Sequence, residues 1–316
     1  SSVEKGRQIR CNSYECRNDP TIREWRQRVS ELHKPPMHQK DVLVLLPCSE
    51  KKPYKLSQSH ARFRRSISNS GVHEVMVTSP LGLVPRELED LWPAAHYDIP
   101  VSGEWDEDEL RVIRGMLDRL VDRVGYSAIV NHSGIPLSFS ESTVIDTRLG
   151  DSAGSPESLE RLKQAIDSTI GNTENSGPKI NSRLEILKSI SRFLFGSDKW
   201  LEGCQVKGRP PILTITKQDI QMAKWNPFGG RFSFSKYSLP ILNELGVLKK
   251  VELKNSVNWT GDIFQGYLEG HDPLIKSGDE LLVLQDGALV GSARAVAPGW
   301  EWPHGPGKLA KSRHRI

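Results

Sequence analysis

The stretch DVLVLLPCSEKKPYKLSQSH, from Asp41 to His60, decides the fold. Its first part, from Val42 to Pro47, is an unbroken apolar run. That is the pattern of a strand buried on both faces, as in a parallel sheet with helices on either side. Helical spacing follows at 59–70, and HEVMVTS from His73 to Ser79 reads as the next strand. A short strand is expected within 94–99. Residues 106–124 place Leu110, Ile113, Leu117, Leu120 and Val124 at helical spacing, behind N-cap candidates between Ser102 and Asp106. YSAIVN, from Tyr126 to Asn131, reads as a further strand. Strands alternating with helices predict an α/β fold with a parallel-sheet core.

In such sheets ligands bind beyond the carboxyl ends of the strands. That edge would gather residues 47–54, 79–85 and 131–136. The loop after Pro47 concentrates Cys48, Ser49, Lys51, Lys52, Tyr54, Lys55, Ser57, Ser59 and His60. Lysines and a helix start near a cysteine favour the thiolate, and a histidine in the same element moves protons near neutral pH. The same residues are also compatible with a plain strand-to-helix turn holding a small buried cysteine and solvated lysines.

Around this core the chain is ordinary. Its 316 residues are 37% hydrophobic and 26% charged, with 26 Gly and 20 Pro, which excludes collagen-like, coiled-coil and wholly disordered chains. No apolar stretch approaches the roughly 20 residues of a membrane helix, so no membrane association is expected. The start, SSVEKGRQIR, has no signal-peptide core and no Met, and four cysteines make no disulfide framework. A cytoplasmic location is expected. Cys11 and Cys16 lack a second pair at metal-ligand spacing, and no metal site is predicted.

Turn-rich stretches at 150–155 and 171–178 suggest a first domain over 1–172. A helix at 180–195 then opens a linking α+β domain, 178–246. From 247 to 316 short β-rich runs (249–253, 280–285, 288–296) predict a small β-barrel domain. No internal repeat is present. The net charge is +4, and the end, KLAKSRHRI, carries Lys308, Lys311, Arg313 and Arg315 without an acid. Such an end suits nucleic-acid phosphates or is simply a solvated tail. Trp300 and Trp302 beside it are candidates for stacking on bases, whereas Trp25, Trp92, Trp105 and Trp200 are expected in cores or interfaces.

The pattern Pro47-Cys48, Lys52-Pro53-Tyr54, Ser57 and His60 resembles the core motif of the archaeosine synthase family, the alpha-type enzymes of archaeal tRNA modification. CNSYECRNDPTIREWRQRV (Cys11 to Val29) and SPLGLVPRELEDLWPAAHYDIP (Ser79 to Pro100) are similar to the same core. The C-terminal 70 residues resemble a PUA domain, a small RNA-binding pseudo-barrel, through IKSGDELLVL, GSARAV and GKLAKSR. The segment around 140–240 matches least. Full-length members carry an upstream domain derived from tRNA-guanine transglycosylase, for which this chain has no room.

The resemblance implies a uracil-DNA-glycosylase-like core. It also implies that free L-lysine is added to the nitrile of 7-cyano-7-deazaguanine (preQ0) in the tRNA D-loop. A radical SAM partner then cleaves the adduct to archaeosine, and no cofactor is needed for the addition. Cys48 would attack the nitrile, His60 would shuttle protons, and Lys52 or Tyr54 would protonate the imidate nitrogen. Ser57, Ser79, Glu87, Asp98, Asn131 and His132 would line the substrate site. Lys276, Arg294, Lys308, Lys311, Arg313 and Arg315 would hold RNA. Two alternatives stand beside it: a non-catalytic tRNA-binding subunit working with a transglycosylase-like chain, and a base-exchanging, glycosylase-like enzyme.

Overall fold

The computed structural model describes residues 9–10, 14–68, 71–98, 105–137, 139, 142–170, 181–304 and 307–316; for residues 9, 10, 14, 15 and 98 it describes the backbone alone. The chain forms two compact units, one of residues 1–194 with 227–231, the other of 195–226 with 232–316, so residues 178–246 contribute to both.

The first unit runs β1 (Ile9–Arg10), α1 (Tyr14–Arg17), α2 (Pro20–Glu31), β2 (Val42–Pro47), α3 (Gln58–Ile67), β3 (His73–Thr78), β4 (Gly82–Pro85), β5 (Tyr97–Asp98), α4 (Glu107–Val124), β6 (Ala128–Asn131), β7 (Thr143–Asp146), α5 (Pro156–Ile170) and α6 (Ser182–Phe195). Five strands form a sheet in the order β4-β3-β2-β6-β7. The apolar run is its central strand, and Val42 to Leu46 are all buried. β2 pairs parallel with β3 and β6, and β6 with β7. β4 turns back antiparallel on β3, a departure from the purely parallel expectation. The β2–α3–β3 crossover runs toward one edge and the chain from β3 through α4 to β6 toward the other, so right-handed connections put α3 and α4 on opposite faces. α3 packs with α5, and α4 with α2.

Local chemistry sets the helix ends. Asp19 accepts a hydrogen bond from the Thr21 amide at 2.7 Å, and Pro20 opens α2 where no amide donor is needed. Asp106 and Glu109 form a reciprocal capping box at the start of α4, and Gly125 closes it in the left-handed conformation at φ 71°.

The second unit holds β8 (Gln205–Lys207), β9 (Leu213–Lys217), β10 (Ile220–Asn226), β11 (Arg231–Phe234), α7 (Leu239–Glu244), β12 (Lys249–Leu253), β13 (Ile263–Phe264), β14 (Leu268–His271), β15 (Glu280–Gln285), β16 (Ala288–Ala295) and β17 (Lys308–Arg315). The first four form a sheet within the segment expected to be α+β, though none of its strands was singled out. The other six make a nearly closed sheet, β13-β17-β16-β15-β12-β14, around Val251, Trp259, Ile263, Val283, Trp302 and Leu309. Gly291 is needed there: a Cβ would lie 2.1 Å from the His314 carbonyl oxygen and 2.8 Å from the Trp259 ring. Trp302, a stacking candidate in the sequence, is fully buried in this core and donates to the Ala297 carbonyl at 2.8 Å; Trp300 is 71% exposed.

Candidate active site at the carboxyl edge of the sheet

Parallel register builds the site. Pro47 lies opposite Val77, so Cys48, the next residue, leaves the sheet beside Thr78 at the end of β3. The half-buried Cys48 thiol is close enough to the Thr78 hydroxyl to feel it. Burial pushes the thiol up, while the Lys52 ammonium and the Thr78 hydroxyl pull in the opposite direction. Lys52 Nζ sits 4.3 Å from the centre of the Tyr97 ring, a cation–π placement that also keeps it near the sulfur. Thr78 Oγ1 lies 2.7 Å from the Tyr97 hydroxyl, which in turn contacts the Tyr54 hydroxyl. Both tyrosines are buried, and burial pushes both phenols up, so they stay protonated at neutral pH. A hydrogen-bonded line therefore runs from the Thr78 hydroxyl to two phenols, with the thiol and one cation beside its outer end.

His60 stands behind this line. It is fully buried, its ring centre is 5.0 Å from that of Tyr54, and its Nδ1 accepts from Arg86 at 3.1 Å. Burial, followed by the positive charge of Arg86, lowers its pKa to about 3. A ring held neutral with Nδ1 occupied positions its neighbours and has little to exchange at pH 7. Arg86 is itself held by Glu74 at 2.6 Å and Glu89 at 3.1 Å. Glu89 also accepts from the Lys55 amide at 2.9 Å, and Lys55 Nζ pairs with Asp90 at 2.5 Å. These bonds clamp the reactive loop onto the segment after β4.

The remaining expected residues divide. Ser57 is buried, 2.8 Å from the Ser59 hydroxyl, and Ser79 donates to Glu109. Asn131 shapes the turn after β6: its amide donates to the Ile135 carbonyl at 2.8 Å and its oxygen accepts from the Ser133 hydroxyl at 2.7 Å. His132 Nε2 lies 2.8 Å from the Ala153 carbonyl, which accepts only, so in the neutral ring Nδ1 is the acceptor of the Thr147 hydroxyl at 2.7 Å. Burial lowers its pKa, and both nitrogens are used in holding the loop. The Asp98 side chain lies outside the described residues, as does Cys11. Glu87 is not brought to this edge. It is buried with His33 and His73, at the amino end of β3.

In the second unit, Lys311, Arg313 and Arg315 alternate outward along β17. Lys308 is tied to Asp262 at 2.6 Å, and Arg294 is neutralised by Glu280 on the neighbouring strand. Lys276 is exposed in the turn before β15. Thr78, Tyr97, Arg86 and Glu89 were not singled out by the sequence. Thr78 is recoverable from strand register, as the last residue of a buried strand, and Tyr97 lies inside the segment whose resemblance was noted.

Fold and site define a class: a two-part chain with an α/β unit carrying a half-buried thiol at the ligand edge of its sheet, and a β-rich unit with a basic last strand. A family described as a domain of unknown function (DUF5591) matches residues 22–166, the span from α2 to α5. The archaeosine synthase subunit alpha of Methanosarcina acetivorans is 33% identical over 311 residues, covering 91% of this chain and 48% of that protein. That of Thermococcus kodakarensis is 30% identical, covering 94% of this chain and 54% of its own length. The crystal structure of AF0587, a protein of unknown function, superposes with a TM-score of 0.67 at 25% identity, covering 93% of this chain and 99% of that one. Along most of its length this chain is a homologue of the archaeosine synthases, and it spans about half the length of the curated relatives it matches.

Proposed function

We propose that this chain carries the lysine-adding centre of an archaeosine-forming enzyme acting on tRNA. The observation that carries the reading is Cys48, set between Thr78 and Lys52 at the carboxyl edge, in a chain homologous to archaeosine synthases. A nitrile is a modest electrophile, and a lysine side chain with pKa near about 10.4 is almost wholly protonated at neutral pH. Covalent catalysis divides the difficulty. The Cys48 sulfur adds to the nitrile carbon of preQ0, and the thiol proton ends on the nitrile nitrogen, with Lys52 the ammonium beside the sulfur that donates and is reprotonated. The side-chain amine of free lysine then adds to the thioimidate carbon, the C–S bond breaks, and the amine's proton returns to sulfur. The balance is one amidine, with no water lost and no cofactor consumed.

One observation favours a second scheme. Burial pushes the Cys48 thiol up, which suits a neutral thiol lining the pocket while lysine adds directly. In both schemes Thr78 and Tyr97 hold the thiol, and His60 holds Tyr54. The β-rich second unit serves as a PUA-type RNA platform, with Lys311, Arg313 and Arg315 on phosphates. A transglycosylase-like subunit supplies preQ0-containing tRNA, and a radical SAM partner consumes the adduct.

The test is the intact mass of preQ0-containing tRNA after incubation with the chain and L-lysine. The expected result is a gain of one whole lysine without loss of water. Unchanged tRNA, both alone and with the transglycosylase-like chain added, overturns the reading. Release of free base favours a base-exchanging enzyme.

A further inference from the structure

The opposite edge of the same sheet holds a second cluster of ligating side chains. His33 follows α2, His73 opens β3 and Glu87 lies in the turn after β4, so three distant segments converge. The His73 and His33 side chains are wholly buried and that of Glu87 is 3% exposed. His33 Nε2 is 2.7 Å and His73 Nε2 3.5 Å from Glu87 Oε1, and one ligand atom from each residue lies within 4.8 Å of the other two. β3 separates this cluster from Thr78 by about 17 Å at roughly 3.3 Å per residue.

Its hydrogen bonds do not close. Ser189 Oγ lies 2.6 Å from the Lys34 carbonyl and 3.0 Å from Glu87 Oε1, both acceptors, and its one proton serves the nearer. Glu87 Oε2, His73 Nε2 and His33 Nδ1 are buried without a hydrogen-bond partner. A sealed carboxylate with one oxygen unpartnered, facing two buried imidazoles, calls for a further partner, since buried charges are ordinarily paired or coordinate a metal. Two imidazoles and one carboxylate are a donor set used for zinc and other first-row divalent ions. His73 already has the supporting contact such ligands show: its Nδ1 lies 2.5 Å from the Tyr126 hydroxyl, which can accept the Nδ1 proton and so leave the Nε2 lone pair facing Glu87.

We propose that His33 Nε2, His73 Nε2 and Glu87 bind one divalent transition-metal ion of the zinc class, pinning the end of α2, the start of β3 and the turn after β4 together. The site is remote from Cys48, and its role is structural.

The test uses the untagged full chain, loaded with zinc or with cobalt(II), passed through gel filtration and analysed by elemental mass spectrometry and absorption. Expected are one ion per chain and cobalt d–d bands without the thiolate charge-transfer band that a cysteine site would give. Glu87→Gln and His73→Asn should lower occupancy at least tenfold, and Tyr126→Phe, which keeps all three ligands, should weaken binding by about tenfold. Should the ligand variants fail to fold, the wild-type chain decides: a strong chelator should strip the ion and lower Tm. Wild-type chain that emerges from loading without metal overturns the proposal, as does a cobalt spectrum with a thiolate band, or a Tm indifferent to both zinc and chelator.

Discussion

The two edges of the five-stranded sheet handle polar groups in opposite ways. At the amino edge His33, His73 and Glu87 are sealed from water with side-chain exposures of 0, 0 and 3%. At the carboxyl edge the polar line starts at a half-buried thiol and runs inward through Thr78 to two buried tyrosines. A parallel sheet explains the asymmetry. Loops leaving the carboxyl ends splay to left and right of the central strand and leave a crevice, whereas the amino ends are covered by returning segments. On the proposed reading chemistry lies at the Cys48 edge and stability at the other, and substitutions should separate the two.

The largest separation is expected at Cys48. Cys48→Ala should lower the rate of lysine addition by about 10⁴-fold if the thioimidate is obligatory, with little change in Tm, because the residue is small and stands at the edge of the core. Single-turnover measurement on preQ0-containing tRNA reads it directly, and a loss below about tenfold selects the direct-addition scheme.

Arg86→Ala should do the reverse. It strips the partner from Glu74, Glu89 and His60 Nδ1 together, and removing one member of a buried ion-pair cluster costs about 3–5 kcal/mol. Chemical denaturation measures that loss. Activity per folded molecule should fall too, since Glu89 anchors the Lys55 amide and with it the loop bearing Lys52.

How far these roles were legible in the sequence follows from how local each one is. The run from Val42 to Leu46 could be nothing but a buried strand, and the Asp106–Glu109 box wrote its own helix start. The helix at 156–170 was not singled out, although Leu162, Ala165 and Ile166 stand at helical spacing and turn inward. β4 and β7 are four-residue edge strands, and too short to announce themselves; β7 is moreover only partly buried. At the site, Cys48, Lys52 and Tyr54 are contiguous with a buried strand and were found. Thr78 and Tyr97 depend on inter-strand register and on a two-residue strand, which no local pattern encodes. Glu87 and Glu89 show the limit most plainly: two residues apart, one faces His33 and the other Arg86.

The basic strand of the second unit gives a third kind of surface, exposed and additive. Replacing Lys311, Arg313 and Arg315 by Ala should weaken tRNA binding by roughly tenfold or more at low salt and reduce the slope of log K against log salt by about one per residue. Arg294→Ala should change that slope less, because Glu280 already neutralises it. A filter-binding series in salt separates the two. Equal effects would mean that the Arg294–Glu280 pair opens on RNA.

An effect absent at neutral pH sharpens the contrast between a positioned and a proton-carrying histidine. With a folded pKa near about 3 against about 6.5 when unfolded, His60 is neutral in both states at pH 7 and contributes nothing to pH dependence there. As pH falls below about 6.5 the unfolded chain takes up a proton that the folded chain refuses. Stability should therefore drop by about 1.4 kcal/mol per pH unit, continuing until about pH 3, where the folded ring also protonates. His60→Gln removes this titration and should flatten the slope of unfolding free energy between pH 6 and pH 4 by that amount, measured against the wild type in urea. It should also leave the position of the neutral-pH limb of the rate profile unchanged, because a ring that stays neutral contributes no ionisation to catalysis. A shift of that limb in the variant would return His60 to proton transfer.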